Sequence, residues 1–208
     1  MNASVGYSGA FGVTGALGFT INNFSLRNPL EGGAGQILNF DWQFGEGARF
    51  RTFSLSFTEP WLYDSPTTLG VSLFDTRQVY VTDLQQTGIS VRLGRRLKWP
   101  DDYFSLVYSI NLTQYKLRNY PIFDPNFKNG TSNNVSFKIA LQRSSVFNPI
   151  FPTSGSNMTT SVQFTPPYSL FNKDLATSAN PYRTPEYHKW RFNAEWYVPI
   201  GKPSGAEK

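Results

Sequence analysis

The sequence predicts an all-β protein, an antiparallel up-and-down barrel whose strands span a membrane. Three observations lead there. Apolar and polar residues alternate with a period of two in roughly ten segments along the whole chain. Aromatic residues reach 16% of the 208 residues and equal the charged fraction, where an ordinary soluble domain is nearer a quarter charged. No helical period competes, and no apolar run is long enough for a membrane helix, so a membrane protein of this sequence must cross with strands.

The segment with the plainest ending is Arg51 to Leu62, RTFSLSFTEPWL. Phe53, Leu55 and Phe57 share one parity, while Thr52, Ser54, Ser56 and Thr58 share the other. In an extended strand those are opposite faces. Pro60 lacks an amide donor and ends the ladder, and Trp61 beside it suits a boundary with one apolar and one wet neighbour.

The other segments follow the same rule. The first is short, Ala3 to Gly9, with Val5 and Tyr7 on one parity. The second sets Leu17, Phe19 and Ile21 against Gly18, Thr20 and Asn22, and the third sets Leu38, Phe40, Trp42 and Phe44 against Asn39, Asp41 and Gln43. After the fourth, just described, the fifth places Leu69, Val71 and Leu73 opposite Gly70 and Ser72, and the sixth places Ile89, Val91 and Leu93 opposite Ser90 and Arg92. In the seventh, Phe104, Leu106, Tyr108, Ile110 and Leu112 oppose a polar series that only Val107 interrupts. The eighth alternates Val135, Phe137, Ile139 and Leu141 with Ser136, Lys138, Ala140 and Gln142. The ninth, Thr160, Val162 and Phe164, is weaker, and the tenth sets Trp190, Phe192, Ala194 and Trp196 against Arg191, Asn193 and Glu195.

Asp41, Arg92, Lys138, Arg191 and Glu195 all fall on the polar parity, which must therefore face water. That placement alone fits the outside of a sandwich as well as the inside of a barrel. The aromatic load favours the barrel, because a sandwich core would need volume for every ring. The connections add to this. Alternate turns of an up-and-down barrel lie on opposite rims, which predicts alternating lengths. The two longest connections, Arg118 to Asn133 and Pro166 to His188, are separated by two segments and share a rim. Long loops mark the extracellular side of outer-membrane barrels, which puts Pro60, Trp61, Trp99, Pro100 and Pro149 on the periplasmic rim.

The composition narrows the chemistry. With no cysteine there are no disulfides, thiolate nucleophiles or thiolate metal sites. His188 is the only histidine, so an imidazole metal cage is out of reach and a Ser-His-Asp site would have to recruit a loop residue. The glycines of LEGGAGQ, Gly32, Gly33 and Gly35, lack the Lys of a phosphate loop and read as turn residues. No catalytic residue, cofactor or metal is expected. The net charge of +5 is scattered apart from Arg92, Arg95, Arg96 and Lys98, which read as a strand end entering a solvated turn, with no nucleic-acid partner expected. The first residues, MNASVGYSGAFG, show neither the basic nor the apolar region of an export signal, and the expectation is a piece of a longer exported protein.

Three stretches carry a resemblance: FSLSFTEPWL at Phe53 to Leu62, NPIFPTSGSNMTTSV at Asn148 to Val162, and FNAEWYVPIG at Phe192 to Gly201. In their order and spacing they resemble the BamA family of outer-membrane assembly factors, and the aromatic-rich style is similar to homologues from Bacteroidetes. The resemblance implies that residues 1–208 form about ten of sixteen strands of an incomplete barrel in the bacterial outer membrane, without the periplasmic repeats and the last six strands. Neither the family's Arg-Gly-Phe loop motif nor its closing strand has a counterpart here. The implied function is insertion of other barrels, with nascent outer-membrane proteins, outer-membrane lipid and assembly-complex lipoproteins as partners. The implied template edge is the first strand, Val5, Gly6, Tyr7, Ser8 and Gly9, and the implied periplasmic-rim motifs are Pro60, Trp61, Pro149, Pro152 and Gly155. Gly6 and Gly9 fit a strand that parts easily, and they fit an ordinary frayed terminal strand equally well. The alternative function is a passive outer-membrane pore or transporter barrel, for which the sequence shows no evident ring of lumen charges.

Overall fold

The computed structural model describes residues 1–121, 126–148, 150–171 and 182–201. They form ten strands: β1 (Asn2–Ser8), β2 (Gly12–Phe24), β3 (Gln36–Gly45), β4 (Phe50–Glu59), β5 (Thr67–Val79), β6 (Asp83–Arg96), β7 (Phe104–Arg118), β8 (Gly130–Ser144), β9 (Gly155–Phe164) and β10 (His188–Tyr197). The one α-helix among the described residues is the short α1 (Tyr168–Phe171). All ten strands belong to one sheet in chain order, each antiparallel to its neighbour. Among the described residues β1 pairs only with β2 and β10 only with β9, so the sheet is unclosed.

Register joins the alternating segments into two continuous faces, because directly paired residues of antiparallel strands point the same way. On the apolar face one rung runs Leu38, Phe57, Val71, Val91, Ile110, Phe137 and Phe164. Another runs Phe19, Phe40, Leu55, Leu73, Ile89, Leu112 and Val135. Along β7 the apolar positions from Phe104 to Leu112 span ~27 Å of strand, or ~20 Å once tilted, close to the ~25 Å apolar band of outer-membrane barrels.

These side chains are not packed into a core. Tyr108 is 45% exposed, Ile110 43% and Trp190 71%, and among the described residues the buried hydrophobic ones are Phe24, Leu117, Phe127 and Ala140. Among the described residues there is no second sheet to cover the apolar face. A sandwich needs such a cover, whereas a barrel wall exposes this face to lipid. Val107, the break in the seventh segment, lies on the inner face between Gly94, which has no side chain, and Ala140, which has only a methyl group, and these leave room for it.

Strands β5 to β8 are 13, 14, 15 and 15 residues long, beyond the segments legible in the sequence. Their extra residues put Asp75, Arg77, Gln85, Lys116 and Arg118 on the apolar parity, so alternation loses contrast there although the ladder continues. The Arg118 to Asn133 connection is correspondingly shorter, since β7 includes Arg118 and β8 starts at Gly130. Strand order places it on the same rim as the β9–β10 connection, as expected. Lengths do not alternate throughout, however. That rim also carries the tight connections 9–11, 46–49 and 80–82, while the other rim carries 25–35, 60–66, 97–103 and 145–154. In the first half the longer connections lie on the rim expected to be periplasmic, and the expected sense appears only in the second half.

Candidate functional site: the first edge and the turn rim

The edge strand β1 is exposed from Asn2 to Tyr7 and half-buried at Ser8. Val5 pairs with Gly15, Gly6 with Thr14, Tyr7 with Val13 and Ser8 with Gly12, whereas Gly9 lies in the turn beyond the strand. The hairpin has little side-chain mass to hold it. Val5 faces a glycine whose missing side chain is replaced by the Phe44 ring from β3, which occupies the space a Cβ at Gly15 would need. Gly12 has φ of 67° at the turn, with the Glu46 carboxylate against it and accepting a hydrogen bond from the Val13 amide at 3.4 Å. Alternate amides and carbonyls of an edge strand point away from its only neighbour, so β1 presents a row of unpaired groups.

Pro60, Trp61, Pro152 and Gly155 lie on one rim of the sheet, at the connections that follow β4 and β8. Pro60 follows the last residue of β4, and the Trp61 amide donates to Glu59 Oε1 at 3.1 Å. A Ser65 hydroxyl bond to the Leu62 carbonyl, 2.7 Å, closes the turn. Pro152 is half-buried in the β8–β9 connection, and Pro149 lies outside the described residues. Gly155 opens β9 with φ of 107°, and a Cβ there would sit 2.6 Å from the Ser145 carbonyl oxygen, so the position admits only glycine. Asn148 Oδ1 accepts from the Ile150 and Phe151 amides at 3.1 and 3.3 Å. Trp61, Tyr63, Trp99, Tyr103, Phe147 and Phe151 are all exposed along this rim, the arrangement of an interfacial aromatic girdle.

Two features were not legible in the sequence. The first is a joint between neighbouring turns of this rim, where Arg143 of β8 donates from Nε and Nη2 to Asp101 Oδ2 and also bonds Ser145 and Ser156. The second is a polar collar on the apolar parity at the opposite rim. Asp75 accepts from Arg51, Gln85 and Thr87, and Asp83 takes a bidentate pair from Arg77 with Arg118 at 3.7 Å. Only the register could have revealed either.

At that rim residues 183–187, which lead into β10, lie over the inner face. The Tyr187 hydroxyl accepts from Asn134 Nδ2 at 3.1 Å and Gln163 Nε2 at 3.0 Å, and the Asn133 amide donates to the Arg183 carbonyl at 2.7 Å. Phe127 from the β7–β8 connection stacks on Tyr182 with ring centroids 5.5 Å apart. Burial raises the Tyr168 phenol above its ordinary pKa, the Glu186 carboxylate adds to the rise, and the Val135 backbone opposes it. No group of three or more His, Cys, Asp or Glu able to hold a metal occurs among the described residues.

A single antiparallel sheet with one lipid-compatible face, one hydroxyl- and amide-lined face, an aromatic girdle and two unpaired edges is the wall of a membrane β-barrel. The chain belongs to the Omp85 superfamily, whose domain model matches residues 32–206. Among solved structures it is similar to BamA from Haemophilus ducreyi lacking POTRA domains 1-3, with a TM-score of 0.56 and 21% identity over 79% of this chain. It covers 34% of that chain, about a third of its length. No match is found among curated proteins.

Proposed function

We propose that this sheet is part of the wall of a bacterial outer-membrane barrel that assembles other β-barrel proteins, with β1 as the edge on which a client strand is templated. The carrying observation is that β1 is short and exposed and that the hairpin behind it is thinned by glycine, with Gly6 in β1 and Gly12 and Gly15 in β2. In lipid each unpaired backbone group costs several kcal/mol, so a nascent strand cannot enter without a partner for its amides. An edge that parts readily from its own neighbour supplies that partner by β-augmentation. Superfamily membership and the likeness to BamA support the same reading.

On this reading residues 1–208 contribute ten strands of a larger barrel, whose remaining strands complete the wall. Nascent outer-membrane proteins are the clients and accessory lipoproteins the partners. The rim carrying Pro60, Trp61, Pro149, Pro152 and Gly155 faces the periplasm, and the rim with the β9–β10 connection faces outward.

The test uses the full-length protein in cells. A photo-crosslinking residue placed at Tyr7 should capture newly made barrel proteins, and the same residue at Ser72 in the middle of the sheet should not. Capture at both positions, or at neither while the protein supports growth, would refute templating at β1.

A further inference from the structure

We propose that the inner face carries a binding strip for small oxyanions, phosphate or carboxylate groups, centred on Ser109 between Arg92 and Lys138. The inference rests on the reading that this polar face lines the wet interior. Cross-strand register is what creates the strip. Arg92 of β6 pairs with Ser109 of β7, Ser109 with Lys138 of β8, Lys138 with Gln163 of β9, and Gln163 with Lys189 of β10. A cation therefore recurs on every second strand of one rung, with a hydroxyl and then an amide between.

Neighbouring strands lie ~4.8 Å apart, so the cations stand ~10 Å apart at their backbones, and two long side chains can close on an anion held between them. Arg92, Ser109, Asn111, Lys138 and Gln163 line one groove of about 400 Å³. The side chains of Arg92, Lys138 and Lys189 make no hydrogen bond or ion pair among the described residues. Their charges are thus available to a ligand.

The inner carboxylates of the strands do not neutralise the rung. Asp41 lies on the rung of Ser54, Phe74 and Gly88, and Gly88 is four residues along β6 from Arg92. Glu195 pairs with Asn157, at the far end of β10 from Lys189. Arg191, paired with Ser161, extends the positive potential by one more inner position. Aligned cations on a confined wall concentrate anions, as they do in anion-selective pores. The sequence places Arg92 and Lys138 on the polar parity, and only the register sets them on one rung.

The experiment compares thiol reagents of opposite charge on the full-length protein in lipid vesicles, in a background free of other cysteines. Ser109→Cys should react on the order of tenfold faster with a sulfonate-bearing reagent than with a trimethylammonium-bearing one of equal size, and the ratio should shrink as salt is raised. Ser54→Cys, beside Asp41, should show no such preference. Combining Ser109→Cys with Arg92→Gln and Lys138→Gln should bring the ratio near one, and inorganic phosphate should slow the sulfonate reaction. Equal rates, a preference that survives the double neutralisation, or indifference to phosphate would each overturn the proposal. So would a thiol at 109 that neither reagent reaches while Ser54→Cys reacts. An Ile110→Cys thiol that reacts while both inner thiols stay silent would show that the face assignment itself had failed.

Discussion

Arg143 and Asp101 join two neighbouring turns of one rim through a forked contact, Nε to Oδ2 at 3.0 Å and Nη2 to the same oxygen at 2.9 Å. The guanidinium also lies over the rings of Tyr103 and Phe104, 5.6 and 5.8 Å from their centroids. Side-chain exposures of 24% and 35% keep the pair only partly in water, so it retains more of its attraction than a fully solvated bridge.

Removing either partner should therefore loosen this rim. Asp101→Ala is expected to cost about 1 to 3 kcal/mol, since it leaves a half-buried guanidinium short of its acceptor. Arg143→Met should cost a similar amount, and the double variant should cost little more than either single change. Urea unfolding of the full-length protein in lipid vesicles measures this coupling. Fully additive losses would mean that the two residues act independently.

The assignment of faces gives a sharper contrast. Ile110 lies in the middle of the apolar rung that runs from Leu38 to Phe164, and Ser72 pairs with Ser56 and Ser90 on the other face. Ile110→Arg should destabilise the folded barrel by about 2 to 4 kcal/mol, the cost of a cation at the bilayer midplane. Ser72→Arg should cost well under half of that, because its charge stays in water. The same vesicle unfolding assay decides it, and equal losses would contradict a lipid-facing apolar parity.

Orientation is tested by protease. Arg183 is exposed in the β9–β10 connection, and Lys98 is exposed in the β6–β7 turn on the opposite rim. Trypsin added to intact cells carrying the full-length protein should cut at Arg183 and spare Lys98. Tyr187→Phe should speed the cut, because Asn134 and Gln163 lose the oxygen that ties the connection to the inner face. Cleavage confined to Lys98 would reverse the topology.

The strands were legible because each crosses from one environment to another, and lipid on one side forces contrast between parities. Segments such as Phe104 to Leu112 therefore appear in the sequence nearly at full contrast. Where β5 to β8 run past the apolar band, Asp75, Arg77, Gln85, Lys116 and Arg118 occupy the apolar parity, the contrast vanishes, and the strand ends could not be read. The Arg143–Asp101 joint and the Arg92–Lys138–Lys189 rung have no sequence signal at all, because they depend on how each strand is shifted against the next. Gly155 was legible only as part of a motif, and its physical reason is the Ser145 carbonyl that no sequence pattern marks.

The two free edges carry the last prediction, which concerns the 208-residue chain expressed on its own. β1 offers seven residues and β10 ten, and about half of their backbone groups point away from their single neighbours. In lipid or detergent several unsatisfied groups at several kcal/mol each rival the ~5 to 15 kcal/mol by which a typical domain is stable. Pairing β1 with β10 would close a ten-strand barrel, but strand number, tilt and stagger are linked, and a stagger suited to a wider barrel does not match a narrower one. Dimers or larger species joined edge to edge are therefore expected in detergent, with cross-links forming between copies at Tyr7→Cys or Trp196→Cys in preference to the mid-sheet Ile110→Cys. A monomer that shows the heat-dependent gel shift of a closed barrel, with amides protected throughout β1 and β10, would establish that these ten strands close by themselves.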